Sequence, residues 1–140
     1  MLQKLINDSS KESYSVNRCR IHQGWWREFV LGEQEGKYRD KKNKKWKTAT
    51  NRINNGVTTG KNFLTDKIKE VVADAVIKQN ESGKGKIDED RLYNNLLSSQ
   101  PLAFNFFGFF KSNHDIALPF LQIIRPDITE ILDVVFEFAP

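Results

Sequence analysis

The chain has 140 residues, 39% hydrophobic and 29% charged, which favours one globular domain and excludes a disordered chain. No stretch approaches the roughly 18 uninterrupted apolar residues of a membrane span, and the first residues lack the apolar run of a secretory signal. A single cysteine, Cys19, excludes an internal disulfide and fits a reducing, cytoplasmic location.

The net charge of +4 is distributed unevenly along the chain. Nine Lys and Arg residues lie between Lys37 and Lys61 against one acid, Asp40, whereas four acids follow Arg125. A basic stretch of this kind is typical of a surface that meets phosphates, and the alternative is a solvated loop. The side chains that we predict to bind nucleic acid, with DNA as the expected partner, are Lys41, Lys42, Lys44, Lys45, Arg52, Lys61, Gln23 and Arg27.

The first half of the chain predicts one helix followed by a long loop. Residues 1–17 are polar and Ser-rich and predict an irregular lead-in, and apolar spacing then predicts a helix between Asn17 and Gly32. In that helix, Trp25 and Trp26 either stack on bases or have one ring buried and the other half-buried. Many Gly, Lys, Asn and Thr residues make 32–61 a basic loop, with one helical turn around Trp46.

The second half predicts several more helices. An apolar stripe predicts an amphipathic helix over roughly 62–79, and Asp88 is a suitable N-cap for the next one. Pro101 lacks an N–H group, so it either kinks this helix or begins a new one. A last helix is predicted over 115–124.

The end of the chain has a different pattern. Over 131–138, Val134, Phe136 and Phe138 alternate with other side chains, which predicts the only convincing strand. A lone strand leaves backbone donors and acceptors unpaired. We therefore expect it to pair with a missing C-terminal segment, with a second copy or with a partner protein. The predicted class is α/β, a mostly helical portion leading into the first strand of an incomplete sheet.

Three polar side chains lie in apolar surroundings and are candidate site residues. Gln100 and Asn105 lie among five Phe residues, where a buried amide must find partners in a structural network or in a site. Glu137 stands between two Phe residues in the predicted strand. It either helps to hold a divalent metal or faces a basic neighbour such as Arg125.

Several segments carry a resemblance to a known family. Together they resemble the N-terminal half of a bacterial family in the PD-(D/E)XK nuclease superfamily, over about 18–140. The matching segments are Arg20-Ile-His-Gln23 with Trp26-Arg27, Gly60-Lys-Asn-Phe63, Leu96-Leu-Ser-Ser-Gln-Pro-Leu-Ala-Phe-Asn-Phe-Phe-Gly108 and Phe136-Glu137-Phe-Ala-Pro140.

The resemblance implies a restriction-endonuclease-like sheet flanked by helices and Mg²⁺-dependent hydrolysis of DNA phosphodiesters. It matches Glu137 to the family's first-strand glutamate, which we assign to metal binding and catalysis, and Gln100 and Asn105 to polar helical residues that we assign to catalysis. The family's metal-binding Asp and its acid-x-Lys motif lie on strands, and before 131–138 we predict no strand that could carry them. We therefore expect no cleavage by this chain alone. The alternatives are a non-catalytic module that binds nucleic acid or protein, and a truncated product without activity.

Overall fold

The computed structural model describes residues 13–136 and shows the predicted helix-rich α/β class. Although chain length favours one domain, these residues form two compact units, 13–62 with 89–98 and 63–88 with 99–136. No helix among them is long and apolar enough to cross a membrane. In chain order the elements are α1 Tyr14–Trp25, a π-helical turn Trp26–Val30, β1 Gly36–Arg39, β2 Trp46–Ala49, α2 Gly56–Thr59, α3 Asp66–Ser82, α4 Glu89–Asn94, α5 Ser99–Lys111 and α6 His114–Ile124.

The first helix begins at Tyr14, earlier than predicted, and continues into the π-helical turn. In that turn the carbonyl of Trp26 accepts a hydrogen bond from the N–H of Leu31 at 3.0 Å, five residues along. Trp26 is half-buried and Trp25 exposed, so neither ring is fully buried. The interior of this unit instead receives Arg27, which is only 4% exposed.

Residues 36–49 form an antiparallel β-hairpin, so the prediction of a loop with a helical turn around Trp46 is wrong. The register pairs Gly36 with Ala49 and Arg39 with Trp46. Most of the strand side chains are exposed, and the strands therefore lack the alternation of apolar and polar residues by which a half-buried strand is recognised. The two strands pair because the turn over residues 40–45 brings them side by side.

The core of the first unit holds Ile53 and Leu92. Close backbone contacts join α2 to α4. The side-chain oxygen of Asn94 accepts a hydrogen bond from the N–H of Gly56 at 2.9 Å, and its carbonyl accepts one from Ile53 at 3.0 Å. A Cβ atom at Gly56 would lie 2.6 Å from the carbonyl carbon of Tyr93, so this contact requires glycine.

Replacing Gly56 with alanine is expected to lower the free energy of unfolding by about 3 kcal/mol, because the new methyl group overlaps backbone atoms rather than a flexible side chain. Gly108→Ala is the control. Its Cβ would lie 3.5 Å from Ile68, at ordinary contact distance in the middle of α5, where alanine is favoured over glycine by about 1 kcal/mol. Urea unfolding followed by circular dichroism compares the two, and equal losses would contradict the close contact at Gly56.

The second unit is built on α3 and α5. Ile68, Val71 and Val72 form the buried stripe of α3, which confirms the predicted amphipathic helix. The helix begins at Asp66 because the side chain of Thr65 caps it, accepting a hydrogen bond from the N–H of Ile68 at 3.2 Å. Pro101 is the third residue of α5, so it belongs to the start of a new helix. The helix predicted over 115–124 is also confirmed, as α6.

The strand predicted over 131–138 is not formed in residues 131–136, and the last two of its residues lie outside the described part of the chain. The predicted alternation of burial is nevertheless present, since Val134 and Phe136 are half-buried and Val135 is exposed. The ring of Phe136 stacks on Phe104 at 4.1 Å. A strand requires a hydrogen-bonded neighbour, and between residues 13 and 136 the sheet contains only β1 and β2.

Candidate nucleic-acid interface

The turn of the hairpin is organised by Asp40. One oxygen of its carboxylate accepts hydrogen bonds from the N–H groups of Lys42 at 2.8 Å and Asn43 at 3.2 Å. The carbonyl of Asp40 accepts another from Lys44 at 2.9 Å, and Lys44 has a left-handed backbone with φ of 58°. Asp and Asn commonly stabilise turns in this way. The lysines of the tip are therefore presented by a defined turn.

The charge of Asp40 is balanced within the hairpin. Its other oxygen lies 2.5 Å from Nζ of Lys47. This hydrogen bond lowers the pKa of Asp40 and raises the pKa of Lys47, so both groups stay charged at neutral pH. Four lysines that we predicted to bind nucleic acid lie at the tip of the hairpin, where they are exposed and form no ion pair with any residue from 13 to 136: Lys41, Lys42, Lys44 and Lys45. The hairpin tip is thus a positively charged surface.

Sequence reasoning missed one face of the hairpin. Directly opposite residues of β1 and β2 have side chains on the same face of the hairpin. Two such pairs, Lys37 with Thr48 and Arg39 with Trp46, share a face on which all four side chains are exposed. We call this surface the Trp46 face. The signal available in the sequence was the spacing Lys-x-Arg and Trp-x-Thr on either side of a turn.

Arg27 is bound by protein groups rather than presented to solvent. Its Nε donates to the carbonyl of Thr50 at 2.9 Å, and one terminal nitrogen donates to the carbonyl of Glu33. The other terminal nitrogen lies 3.4 Å from the carboxylate of Glu28. Gln23 is half-buried on α1, and the two side chains do not hydrogen-bond to each other. The assignment of both to nucleic-acid binding stays a prediction.

Arg52 and Lys61 also have partners in the first unit. A terminal nitrogen of Arg52 lies 2.5 Å from the carboxylate of Asp90, and its guanidinium lies 5.3 Å from the centre of the Tyr38 ring. The ammonium of Lys61 lies 2.6 Å from the carboxylate of Glu33. These contacts stabilise the segments on either side of the hairpin within the first unit. Nucleic-acid binding by Arg52 or Lys61 stays a prediction.

Gln100 and Asn105 belong to the second unit, where their side chains form hydrogen bonds to the backbone of loop residues. The amide nitrogen of Gln100 donates to the carbonyl of Lys86 at 2.7 Å, and its oxygen accepts from the N–H of Asp88 at 3.2 Å. The oxygen of Asn105 accepts from the N–H of Leu64 at 3.0 Å. Gln100 is buried and has the partners that a buried amide requires, whereas Asn105 is half-buried. Both side chains form structural hydrogen bonds to backbone groups. A catalytic role for either residue stays a prediction.

Replacing Gln100 with leucine is expected to cost about 2–3 kcal/mol of unfolding free energy, because the carbonyl of Lys86 and the N–H of Asp88 lose a buried partner. Asn80→Leu is the control, since it removes an exposed amide from α3 in the same unit. Urea unfolding measures both, together with hydrogen exchange at the amide of Asp88. A loss no larger than that of the control would contradict the structural role.

A groove of about 320 Å³ in the second unit adjoins the segment that leads to Glu137. Its charged lining consists of two acids and three lysines: Asp74, Asp133, Lys78, Lys84 and Lys111. The ammonium of Lys111 lies 2.5 Å from Asp133 and lowers the pKa of its carboxyl group. The lining therefore carries one more positive than negative charge.

The described residues do not fit a Mg²⁺ ion. Between residues 13 and 136 no three His, Cys, Asp or Glu side chains lie close enough to hold a metal. Mg²⁺ requires several oxygen ligands, usually including carboxylates. Two acids near the end of the chain are each paired with a cation, Asp133 with Lys111 and Asp127 with Arg125. Glu137, the predicted metal ligand, lies outside the described residues.

The fold and the interface define a helix-rich α/β protein that presents a lysine-rich hairpin. Comparison with known proteins identifies its family: the sequence profile of the PD-(D/E)XK nuclease superfamily matches residues 10–140. No curated protein and no solved structure is significantly similar. Because the match spans nearly the whole chain, the chain belongs to the PD-(D/E)XK nuclease superfamily, and the resemblance is confirmed at the level of the superfamily.

Proposed function

We propose that this chain is a segment of a metal-dependent DNA nuclease, active in the cytoplasm, that supplies nucleic-acid binding but does not hydrolyse phosphodiesters alone. The family match over residues 10–140 is the observation that carries the proposal. Metal-assisted hydrolysis needs several carboxylates and a group that activates water. The cation-paired acids Asp127 and Asp133 are poor candidates for this task.

DNA is bound, in this proposal, by the hairpin. Between Gly36 and Ala49 there are seven basic side chains against one acid, which is itself paired with Lys47. Lysines at an exposed turn neutralise phosphates and release counterions, which gives affinity without sequence preference and with strong dependence on salt. The charge of the hairpin thus supports binding to any DNA of sufficient length.

The remaining site residues belong to the part of the proposal that concerns hydrolysis. Residues 18–140 form the N-terminal portion of a nuclease-like domain in which Glu137 is the first metal ligand, with Mg²⁺ as the ion. Gln100 and Asn105 take part in catalysis in the same domain. The missing Asp and acid-x-Lys motif come from strands that pair with 131–138, whether in a C-terminal segment, a second copy or a partner protein. The half-burial of Val134 and Phe136, with Val135 exposed between them, supports a strand that packs one of its faces on the protein.

The alternative is a non-catalytic module that binds nucleic acid through the hairpin and a partner protein through 131–138. Two observations favour it: the exposed lysines of the hairpin, and the absence of a metal-binding cluster in residues 13–136. The two proposals differ in one respect. In the first, strands that pair with 131–138 complete a hydrolytic site, whereas in the alternative no strand added to 131–138 would create hydrolytic activity.

Incubation of the purified chain with plasmid or single-stranded DNA and Mg²⁺ or Mn²⁺ is expected to give binding without cleavage. Binding is measured by fluorescence anisotropy at low salt, and cleavage by gel electrophoresis. Glu137→Ala and the control Glu130→Ala are tested in parallel. Cleavage that Glu137→Ala abolishes and Glu130→Ala leaves intact would show that the chain holds a complete metal site. Failure of the unmodified chain to bind any nucleic acid would overturn both the proposal and its alternative.

A further inference from the structure

We propose that the Trp46 face binds an unpaired nucleotide, with the base stacked on the indole of Trp46 and the adjoining phosphates held by Lys37 and Arg39. The inference rests on the proposed function and narrows its ligand to single-stranded nucleic acid or to a frayed duplex end.

The exposure of Trp46 is the first observation. The side chain is 69% exposed on β2, although tryptophan is highly buried on average in folded proteins. No aromatic ring or guanidinium group of residues 13–136 stacks on it. Trp25, by comparison, has ring contacts with His22 and Phe29 at 6.3 and 6.0 Å. The indole of Trp46 is therefore accessible to a planar ligand.

The surroundings of Trp46 are the second observation. Arg39 lies directly opposite Trp46 in the register. Lys37 lies on the same face, two residues before Arg39 in β1, so the Cα atoms of Lys37 and Arg39 are about 7 Å apart. A shallow groove of about 490 Å³ adjoins the indole and is lined by Lys37, Lys47 and Thr48. The Nε of Arg39 donates to the carbonyl of Lys44 at 3.3 Å, which holds this side chain near the turn.

Aromatic and basic groups in this arrangement match an unpaired nucleotide. Every base has a flat face that can stack on an indole, and the strand around it carries one negative charge per nucleotide. A base inside a duplex already stacks on its neighbours and is not available to Trp46. The tip lysines attract the phosphates of either form, so Trp46 is the group that favours the single strand. The carboxylates of an acidic protein partner would pair with the lysines and would gain little from the indole, whereas a base gains from stacking on it.

The test measures the affinity of the whole chain for oligothymidylate and for a duplex of the same length by fluorescence anisotropy. Trp46→Ala is expected to weaken binding of the single strand about 5- to 150-fold, the range for loss of one stacked base, and to leave duplex binding nearly unchanged. The slope of log affinity against log salt should stay the same, because no charge is removed. Trp46→Phe should restore part of the lost affinity, and Trp25→Ala is the matched control.

Each outcome has one meaning for the proposal. Equal losses for single strand and duplex, or a loss no larger than that of Trp25→Ala, would overturn stacking while leaving the proposed function intact. Tighter capture of polyglutamate than of oligothymidylate would identify the face as a protein-binding surface and would also overturn it. If the unmodified chain binds neither nucleic acid, the proposed function fails as well. Circular dichroism of each variant verifies that the fold is retained.

Discussion

Replacing Phe104 with alanine is expected to lower the free energy of unfolding by about 3–5 kcal/mol, the range for truncating a buried aromatic ring. The ring is fully buried on α5 and stacks on Phe136 at 4.1 Å. Its removal takes away the transfer free energy of the ring and leaves a cavity that the packed helices fill only in part. Urea unfolding followed by circular dichroism measures the loss.

Leu102→Ala on the same helix is the matched control. Leu102 is 68% exposed, so its truncation should change the unfolding free energy by no more than about 0.5 kcal/mol. Phe136→Ala should give an intermediate loss, because this half-buried ring forms one side of the stack only. If Phe104→Ala were no more costly than Leu102→Ala, the packing of the second unit would have to be revised.

The quadruple change of Lys41, Lys42, Lys44 and Lys45 to alanine is expected to weaken duplex DNA binding on the order of a thousandfold at 0.1 M salt. Each phosphate contact contributes about 0.9 to the slope of log affinity against log salt, so four contacts together contribute about 3.6. Anisotropy titrations across a series of salt concentrations measure both quantities. An unchanged slope would mean that the tip is a solvated turn without contact to phosphates.

A second variant that loses four lysines elsewhere in the chain distinguishes binding by the hairpin from an effect of net charge. Lys67, Lys69, Lys78 and Lys84 lie in the second unit, and their change to alanine removes the same four charges. This variant should retain most of the affinity and most of the slope. Equal effects of the two variants would show that binding follows net charge rather than the hairpin.

The sequence by itself determined the features that depend on local spacing. The apolar stripe with Ile68, Val71 and Val72 predicted α3, because side chains three and four residues apart share a face of a helix. Composition alone located the basic stretch that contains the hairpin. The apolar surroundings of Gln100 and Asn105 required hydrogen-bond partners, and the structure supplies them. Short segments such as 96–108 also carried the family resemblance.

Only the tertiary structure decided the features that depend on a distant partner. The hairpin exists because Gly36–Arg39 pairs with Trp46–Ala49, and strands exposed to water lack the apolar alternation that marks them in a sequence. Arg27 is buried because the carbonyls of Thr50 and Glu33 satisfy its guanidinium, and its position in the chain does not reveal them. Residues 133–136 alternate in burial as a strand does but form no ladder. Backbone hydrogen bonds need a second strand, and the strands found among residues 13–136, β1 and β2, pair with each other.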